Sequence, residues 1–469
     1  MIFLDPNKKT PMYEQLFREL RKEILNHNLE EDEKLKSIRQ FAHEIGVSFN
    51  TVNRTYQMLL AEGYIRAVPG SGFYVEPLHL HQDHRTQTEI SFPKKPAAEK
   101  ILYDFRYDVF ERDTFPWNKW RKYINNAITE QYYQKNVSYI ENKGGRALRE
   151  SLASYMLHSR GITCDPDQIV VAPGTQYLMD IISGILPKKK YRVGVEEPGY
   201  NGMRQVFLNK SFSLQPIPVT ETGIDANQLE KTGCNLLYLT PSHQFPTGVT
   251  LPLIKRIQIL EWARRNDAYV IENDYDNEFL YGKTAQPPMF GIDRNDIVIY
   301  ISALTKVMTP EIRCAYAVFP KKLMAVYDEK YRYYYAALSA CDQRALADFI
   351  NDGNLDRQIR KITVRNAKKK EIIDQIFQTD LSGIIRYSKE AAGSHMIITA
   401  AVPHPEKLEQ ELMRHGIRIY SISPYFYCRE EKNRHKNQFL FGYGAIPVSE
   451  IEDACREFVR VIKNIILEG

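Results

Sequence analysis

Covalent chemistry first becomes available at one lysine. In ISALTKVMTPEIRCAY, Lys306 follows an apolar run, sits among small and hydroxyl residues, and precedes Arg313 by seven positions. A lysine at a strand end in a dry pocket can lose its proton and attack an aldehyde, forming a Schiff base. Thr305 and Arg313, from the same loop, are suited to holding a phosphate. A second loop, VVAPGTQYLMDII, passes through Gly174, Thr175 and Gln176 into a helical pattern. Exposed N–H groups at such a helix start bind phosphate. A third, VIENDYDNEFLYG, closes a strand with Asn273, Asp274 and Tyr275, at the carboxyl edge of a sheet where ligands settle. VEEPGYNGMR and LTPSHQFPTG add Tyr200 as a stacking surface and a Pro/Gly-shaped loop from Pro241 to Gly248.

A different chemistry lies near the N-terminus. Ser48, Asn50, Thr51, Asn53 and Arg54 fall on the outer face of one helical pattern, and such side chains reach base edges and phosphates from a helix in the major groove. Residues 1–76 carry 10 Lys+Arg against 11 Asp+Glu, so bulk charge does not announce nucleic acid. Within residues 34–66, however, Lys34, Lys36, Arg39, Arg54 and Arg66 face only Glu44 and Glu62, which makes a local basic face.

The elements that must position these groups follow from periodicity. Met12, Leu16, Leu20 and Ile24 give one buried helical stripe. Ser37 can cap a second helix packed through Ile38, Phe41, Ala42 and Ile45. Gly46 breaks the chain, and Ser48 opens a third helix packed through Val52, Tyr56, Leu59 and Leu60. Two β-prone runs around PGSG then predict a hairpin. The segment 77–100 has three His and three Pro with little apolar periodicity, as an exposed linker would. Beyond it, IVVA (169–172), YRVGV (191–195), NLLYLT (235–240), AYVIE (268–272), IVIYI (297–301) and YAVF (316–319) alternate with helical stretches. That alternation predicts an α/β domain with a mostly parallel sheet.

Composition bounds the whole. At 469 residues, with 43% hydrophobic and 26% charged side chains, the chain allows about three domains and excludes wholesale disorder. No apolar run approaches the roughly 18 residues of a membrane span, and the start lacks a secretory signal. Six scattered cysteines without a CxxC pair suit reduced thiols in a cytoplasm, with neither a disulfide framework nor a metal site.

KLKSIRQFAHEIGVSFNTVNRTYQMLLAEGYIRAVPGSGFYV resembles the winged helix-turn-helix of the GntR family of bacterial regulators. Its marks are Ser37 and Arg39, the turn from Gly46 to Val52, Glu62 to Tyr64, and the wing Gly70 to Phe73. The resemblance implies contacts to double-stranded DNA from Arg39, Asn50, Thr51 and Gly72, with Lys36, Ser48, Asn53 and Arg54 beside them. Phe49 stands where the family usually has arginine. The four loops of residues 101–469, in their order, resemble fold-type I aminotransferases, which bind pyridoxal 5′-phosphate (PLP). PSHQFPTG, EEPGY and E-x-D-Y-D-x-E-F, joined to such a head, narrow the likeness to the MocR-type regulators. That implies a winged head (1–76), a linker (77–100) and an aminotransferase-like domain (101–469) with a smaller C-terminal α+β part.

By the same resemblance, Lys306 forms an internal aldimine with PLP, Tyr200 stacks on the pyridine ring and Tyr275 bonds its phenolic oxygen. Gly174, Thr175, Gln176, Thr305 and Arg313 surround the phosphate, with Ser302 standing in because Ala303 occupies a place often held by Ser or Thr. Asn273 falls where the enzymes keep an aspartate on the ring nitrogen, a charge that sustains the electron sink. Asp274 could substitute only in a different register. Gly202 and Ala445 stand where relatives carry arginines that clamp substrate carboxylates, which weakens the binding of any α-amino acid, and Arg204, two residues beyond Gly202, is not expected to compensate. The expectation is a cytoplasmic, homodimeric transcriptional regulator, its heads exchanged head-to-tail and bound to paired half-sites. It senses PLP itself or an amine, amino-acid or D-alanine-type effector. A working aminotransferase with a regulatory head, and a cofactor-free dimerisation scaffold, are the rival readings.

Overall fold

The computed structural model describes residues 4–5, 10–77, 101–135, 138–276, 278–279, 285–388, 393–402 and 404–468. They fall into two compact units, Met1–Pro96 and Ala97–Gly469. Apart from Pro77, the expected linker lies outside the described residues.

In the first unit, α1 (Met12–Leu25), α2 (Ile38–Ile45) and α3 (Phe49–Ala61) precede a hairpin of β1 (Ile65–Val68) and β2 (Gly72–Val75). The caps lie where their residue types demand. Ser37 accepts the Gln40 N–H at the start of α2, Gly46 ends it in the left-handed region at φ 69°, and Ser48 accepts the Thr51 N–H at the start of α3. Leu16, Phe17, Leu20, Ile24, Phe41, Val52, Tyr56 and Leu59 form the core. Met12, Ile38, Ile45 and Leu60, expected inside, are only half-buried, while Phe17 and Thr55 are buried.

The second unit is built on seven strands: β4 (Ile169–Ala172), β5 (Arg192–Glu197), β6 (Ser213–Pro218), β7 (Leu236–Leu239), β8 (Tyr269–Asn273), β9 (Val298–Ala303) and β10 (Ala315–Val318). Their order is β4-β10-β9-β8-β7-β5-β6. Only β10 runs against its neighbours, β4 and β9; the other pairs are parallel. Strands covered on both faces need apolar residues throughout, which is why these runs are continuous rather than alternating. Helices α4 (Trp117–Tyr132), α5 (Arg146–Arg160), α6 (Thr175–Ile185) and α7 (Asn201–Asn209) belong to the first half of this unit.

A smaller antiparallel sheet follows, ordered β11 (Ile385–Tyr387), β12 (His395–Ala400), β15 (Gln438–Gly442), β14 (Tyr420–Ser421). Beside it β13 (Ile417–Arg418) pairs in parallel with β3 (Tyr103–Asp104), so the start of the unit is stitched to its end. Phe105, Phe377, Phe441 and Phe458 pack ring to ring beneath. Two tyrosine clusters stay uncovered: Tyr132, Tyr133 and Tyr139, and Tyr333, Tyr334 and Tyr335, with Tyr139 stacked on Tyr335 at 4.2 Å. Among the described residues no helix is long and apolar enough to cross a membrane.

Candidate functional site

At the carboxyl ends of β7, β8 and β9 the large sheet opens onto a cavity of about 290 Å³. Its first end is made for an anion. Gly174 caps α6 at φ 112°, and a Cβ there would lie 2.8 Å from Arg313 Nη2, so glycine is what lets the guanidinium lie across the helix start. Arg313 Nε donates to the Pro173 carbonyl at 3.2 Å, and Thr175, Gln176 and Thr305 line the same end. Unpaired N–H groups, the helix dipole and a guanidinium converge there.

The opposite end is neutral. Asn273, the last residue of β8, lines the cavity; its Nδ2 donates to the Tyr238 hydroxyl at 2.8 Å, and its buried Oδ1 has no hydrogen-bond partner. Asp274, next in line, is committed elsewhere. Its carboxylate pairs with Arg160 from the end of α5 at 2.8 Å and accepts the Tyr300 hydroxyl at 2.8 Å. Strand alternation separates the two neighbours, so the register places the amide, not the carboxylate, in the wall.

Between the ends stands the lysine. Lys306 Nζ lies 4.7 Å from the ring centre of Tyr275, whose buried hydroxyl has no hydrogen-bond partner. Burial, then the adjacent Asp276 carboxylate, push that phenol well above its usual range. Asp276 adopts φ 58°, a left-handed conformation that aspartate tolerates better than most residues, and so brings Oδ2 to 2.6 Å from Lys306 Nζ. Burial opposes its charge, but the Lys306 ammonium and His243 prevail and hold this carboxyl below the carboxylate range. His243 Nδ1 lies 3.7 Å from Asp276 Oδ2, and His395, from β12, has its ring centre 5.2 Å from that of His243. Burial, then His243 and Lys306, push the His395 imidazole well below its usual range, keeping it neutral.

Tyr200, edge-on to Phe245 at 5.7 Å, forms a side wall with Thr240. Tyr107, Asp108 and Phe110, just after β3, close another side. Sequence reasoning missed these three, which carry no motif. Asp276 was within reach, since it follows Tyr275 in the E-x-D-Y-D-x-E-F run.

Ser302, expected at the cofactor, and the positions Gly202, Arg204 and Ala445 lie outside the cavity lining. Ser302 is buried away from the cavity, its Oγ donating to the Asp274 carbonyl at 3.4 Å, because alternation in β9 turns Ala303 into the wall instead. Gly202 lies beneath Tyr200: a Cβ there would meet the ring at 2.8 Å and Gln176 Nε2 at 3.0 Å. Arg204 does not compensate, because its guanidinium donates to the carbonyls of Tyr425 and Pro424 at 3.0 and 2.8 Å. Ala445 lines a separate surface groove.

In the first unit the outer face of α3 carries the expected DNA residues in unequal states. Ser48 Oγ and Thr51 Oγ1 are bonded to one another at 2.8 Å. Arg54 lies over the Tyr13 ring at 3.9 Å, and Lys36 pairs with Glu44 at 2.5 Å. Arg39 and Asn50 are exposed, Asn53 is half-exposed, and Gly72 opens β2 at φ 123°.

Comparison with known proteins follows this division. Residues 12–75 match the family of bacterial regulatory proteins, gntR family, and residues 107–435 match aminotransferase class I and II. The uncharacterized HTH-type transcriptional regulator YdeL of Bacillus subtilis is 31% identical over 90% of this chain and 91% of its own length. The HTH-type pyridoxine biosynthesis transcriptional regulator PdxR of Corynebacterium glutamicum is 26% identical over 100% of this chain and 99% of its own. An archaeal alanine:glyoxylate aminotransferase shares the fold at TM-score 0.69, with 19% identity over 78% of this chain and 92% of that one. A DNA-binding head of the GntR type and an aminotransferase-like domain in one chain make this protein a member of the MocR-type transcriptional regulators.

Proposed function

We propose that the large domain holds PLP at Lys306 and that occupancy of this cavity governs how the heads engage DNA. The observation that carries the reading is a lysine amine on the wall of a cavity with an anion cradle at one end. The remaining groups suit the cofactor: the α6 start, Thr305 and Arg313 for its phosphate, Tyr200 for its ring face, and the unpartnered Tyr275 hydroxyl and Asn273 Oδ1 for its polar edge. When bound, PLP supplies an aldehyde that condenses with a lysine amine and a ring that accepts electrons.

The chain's own residues favour sensing over turnover. Asn273 brings no charge to the ring nitrogen. Arg204 is spent on carbonyls, which removes a clamp for a substrate carboxylate. Asp276 faces the lysine as its counter-ion. The effector is PLP itself, supported by the pyridoxine-biosynthesis relative, with an amine, amino acid or D-alanine-type ligand as further candidates. The exposed tyrosine clusters support a homodimer, since a second copy would cover them. The head spans 1–76, the linker 77–100 and the sensor 101–469, and the protein works in the cytoplasm on paired half-sites, with heads exchanged head-to-tail.

Incubation of the full chain with PLP, borohydride reduction and peptide mass mapping tests the core of this. An adduct on Lys306, lost in Lys306→Ala, is expected, together with a PLP-dependent change in affinity for the DNA upstream of its own gene. No adduct on Lys306 sinks the proposal. Sustained transamination of amino acids would replace the sensor by an enzyme.

A further inference from the structure

α3 presents an aromatic ring to solvent where it begins. Phe49, its first residue, is 47% exposed, whereas every other described Phe or Tyr of the first unit is buried or half-buried. Val52 and Tyr56, three and seven residues further on, carry the same side of the helix into the core, but Phe49 is the helix's first residue and stands beyond the packed side chains, so its ring stays in solvent. The polar residues around it are largely occupied. Ser48 and Thr51 bond to one another, and the helix's one cation, Arg54, is stacked on Tyr13. What remains near the start of the helix is one phenyl ring with the amides of Asn50 and Asn53, and Gln57 follows a turn further along.

In the major groove, guanine is read by a bidentate cation, adenine by an Asn or Gln amide, and thymine by an apolar contact with its methyl group. We propose that Phe49 reads a thymine methyl, so that each half-site carries a T·A pair beneath the first turn of α3, with adenine contacts falling to Asn50 or Asn53. This rests on the head binding DNA with α3 in the major groove, as helix-turn-helix heads dock.

The test uses the full-length protein and a randomised duplex pool. After selection, each thymine of the retained consensus is replaced by deoxyuridine, which deletes only the methyl group. One position per half-site should weaken about fourfold, the effect of losing one buried methyl-sized contact. Phe49→Ala should lose that sensitivity. Phe49→Arg, at an exposed site that leaves the core intact, should shift the selected base there from T to G. A retained pool in which deoxyuridine costs nothing, or in which Phe49→Arg selects the wild-type sequence, overturns the proposal and leaves DNA binding standing. A pool from which no duplex is retained overturns the DNA-binding premise as well.

Discussion

Asp274 and Asp276 flank one tyrosine and do opposite work. The first turns away from the cavity into a buried pair with Arg160; the second turns in and meets Lys306. The wall at the end of β8, where a carboxylate would sustain electron withdrawal by the ring, holds only the Asn273 amide. Of these two aspartates, only the one at the lysine brings its charge to the cavity, and the wall at the end of β8 has none. A pocket so arranged can still capture an aldehyde, while the assistance needed to break a Cα–H bond is weak.

Substitutions can break or sharpen this contrast. Asp274→Asn should be the most damaging to the fold, at about 3–5 kcal/mol, because it strands a buried guanidinium; urea denaturation reads it, and the reducible PLP adduct proposed at Lys306 should be unaffected. Glu196 provides a reference carboxyl with no cation. Its Oε2 accepts from the Thr240 N–H and hydroxyl, and burial pushes it up to about 7. Its folded value exceeds its unfolded one, so its share of stability is full below about pH 4.5 and fades as pH rises to about 7. Glu196→Gln should therefore gain on wild type across that window by about 3 kcal/mol, then hold a constant lead in melts at higher pH.

Asn273→Asp restores charge at the neutral end. It should speed single-turnover transamination of a bound amino acid by roughly a hundredfold; an unchanged rate would show that the missing carboxylate is not what restrains the chemistry. Asp276→Asn should cost about 1–3 kcal/mol of stability in the PLP-free protein, less than Asp274→Asn, because Lys306 keeps some contact with solvent. Should the two aspartates prove equally important to the fold, the contrast between them disappears.

Local signals were the legible ones. Ser37, Gly46 and Ser48 mark helix ends through groups within a few residues of themselves, and the apolar runs mark strands because both sheet faces are covered. Gly174, Tyr200, Lys306 and Arg313 were legible for the same reason: each sits at a strand or helix end that its own segment announces. The commitments of Asp274 and Arg204 were not, since their partners lie 114 and about 220 residues away in sequence. Ser302 misled because adjacent strand residues face opposite sides, and a motif does not say which one looks inward. Tyr107, Asp108 and Phe110 reach the cavity only because β3 is recruited by β13 from the far end of the chain.

The backbone at Gly393 has a mechanical consequence. A Cβ there would strike His243 Cε1 at 2.5 Å and approach Asp276 Oδ2 at 3.3 Å, so the approach to β12 lies flush against the lysine's carboxylate partner and the histidine beside it. The small sheet cannot slide across the large one without disturbing them. On the proposed sensing role, a guest that rearranges the lysine's neighbours would therefore bear on the small C-terminal sheet, as a key bears on a tumbler.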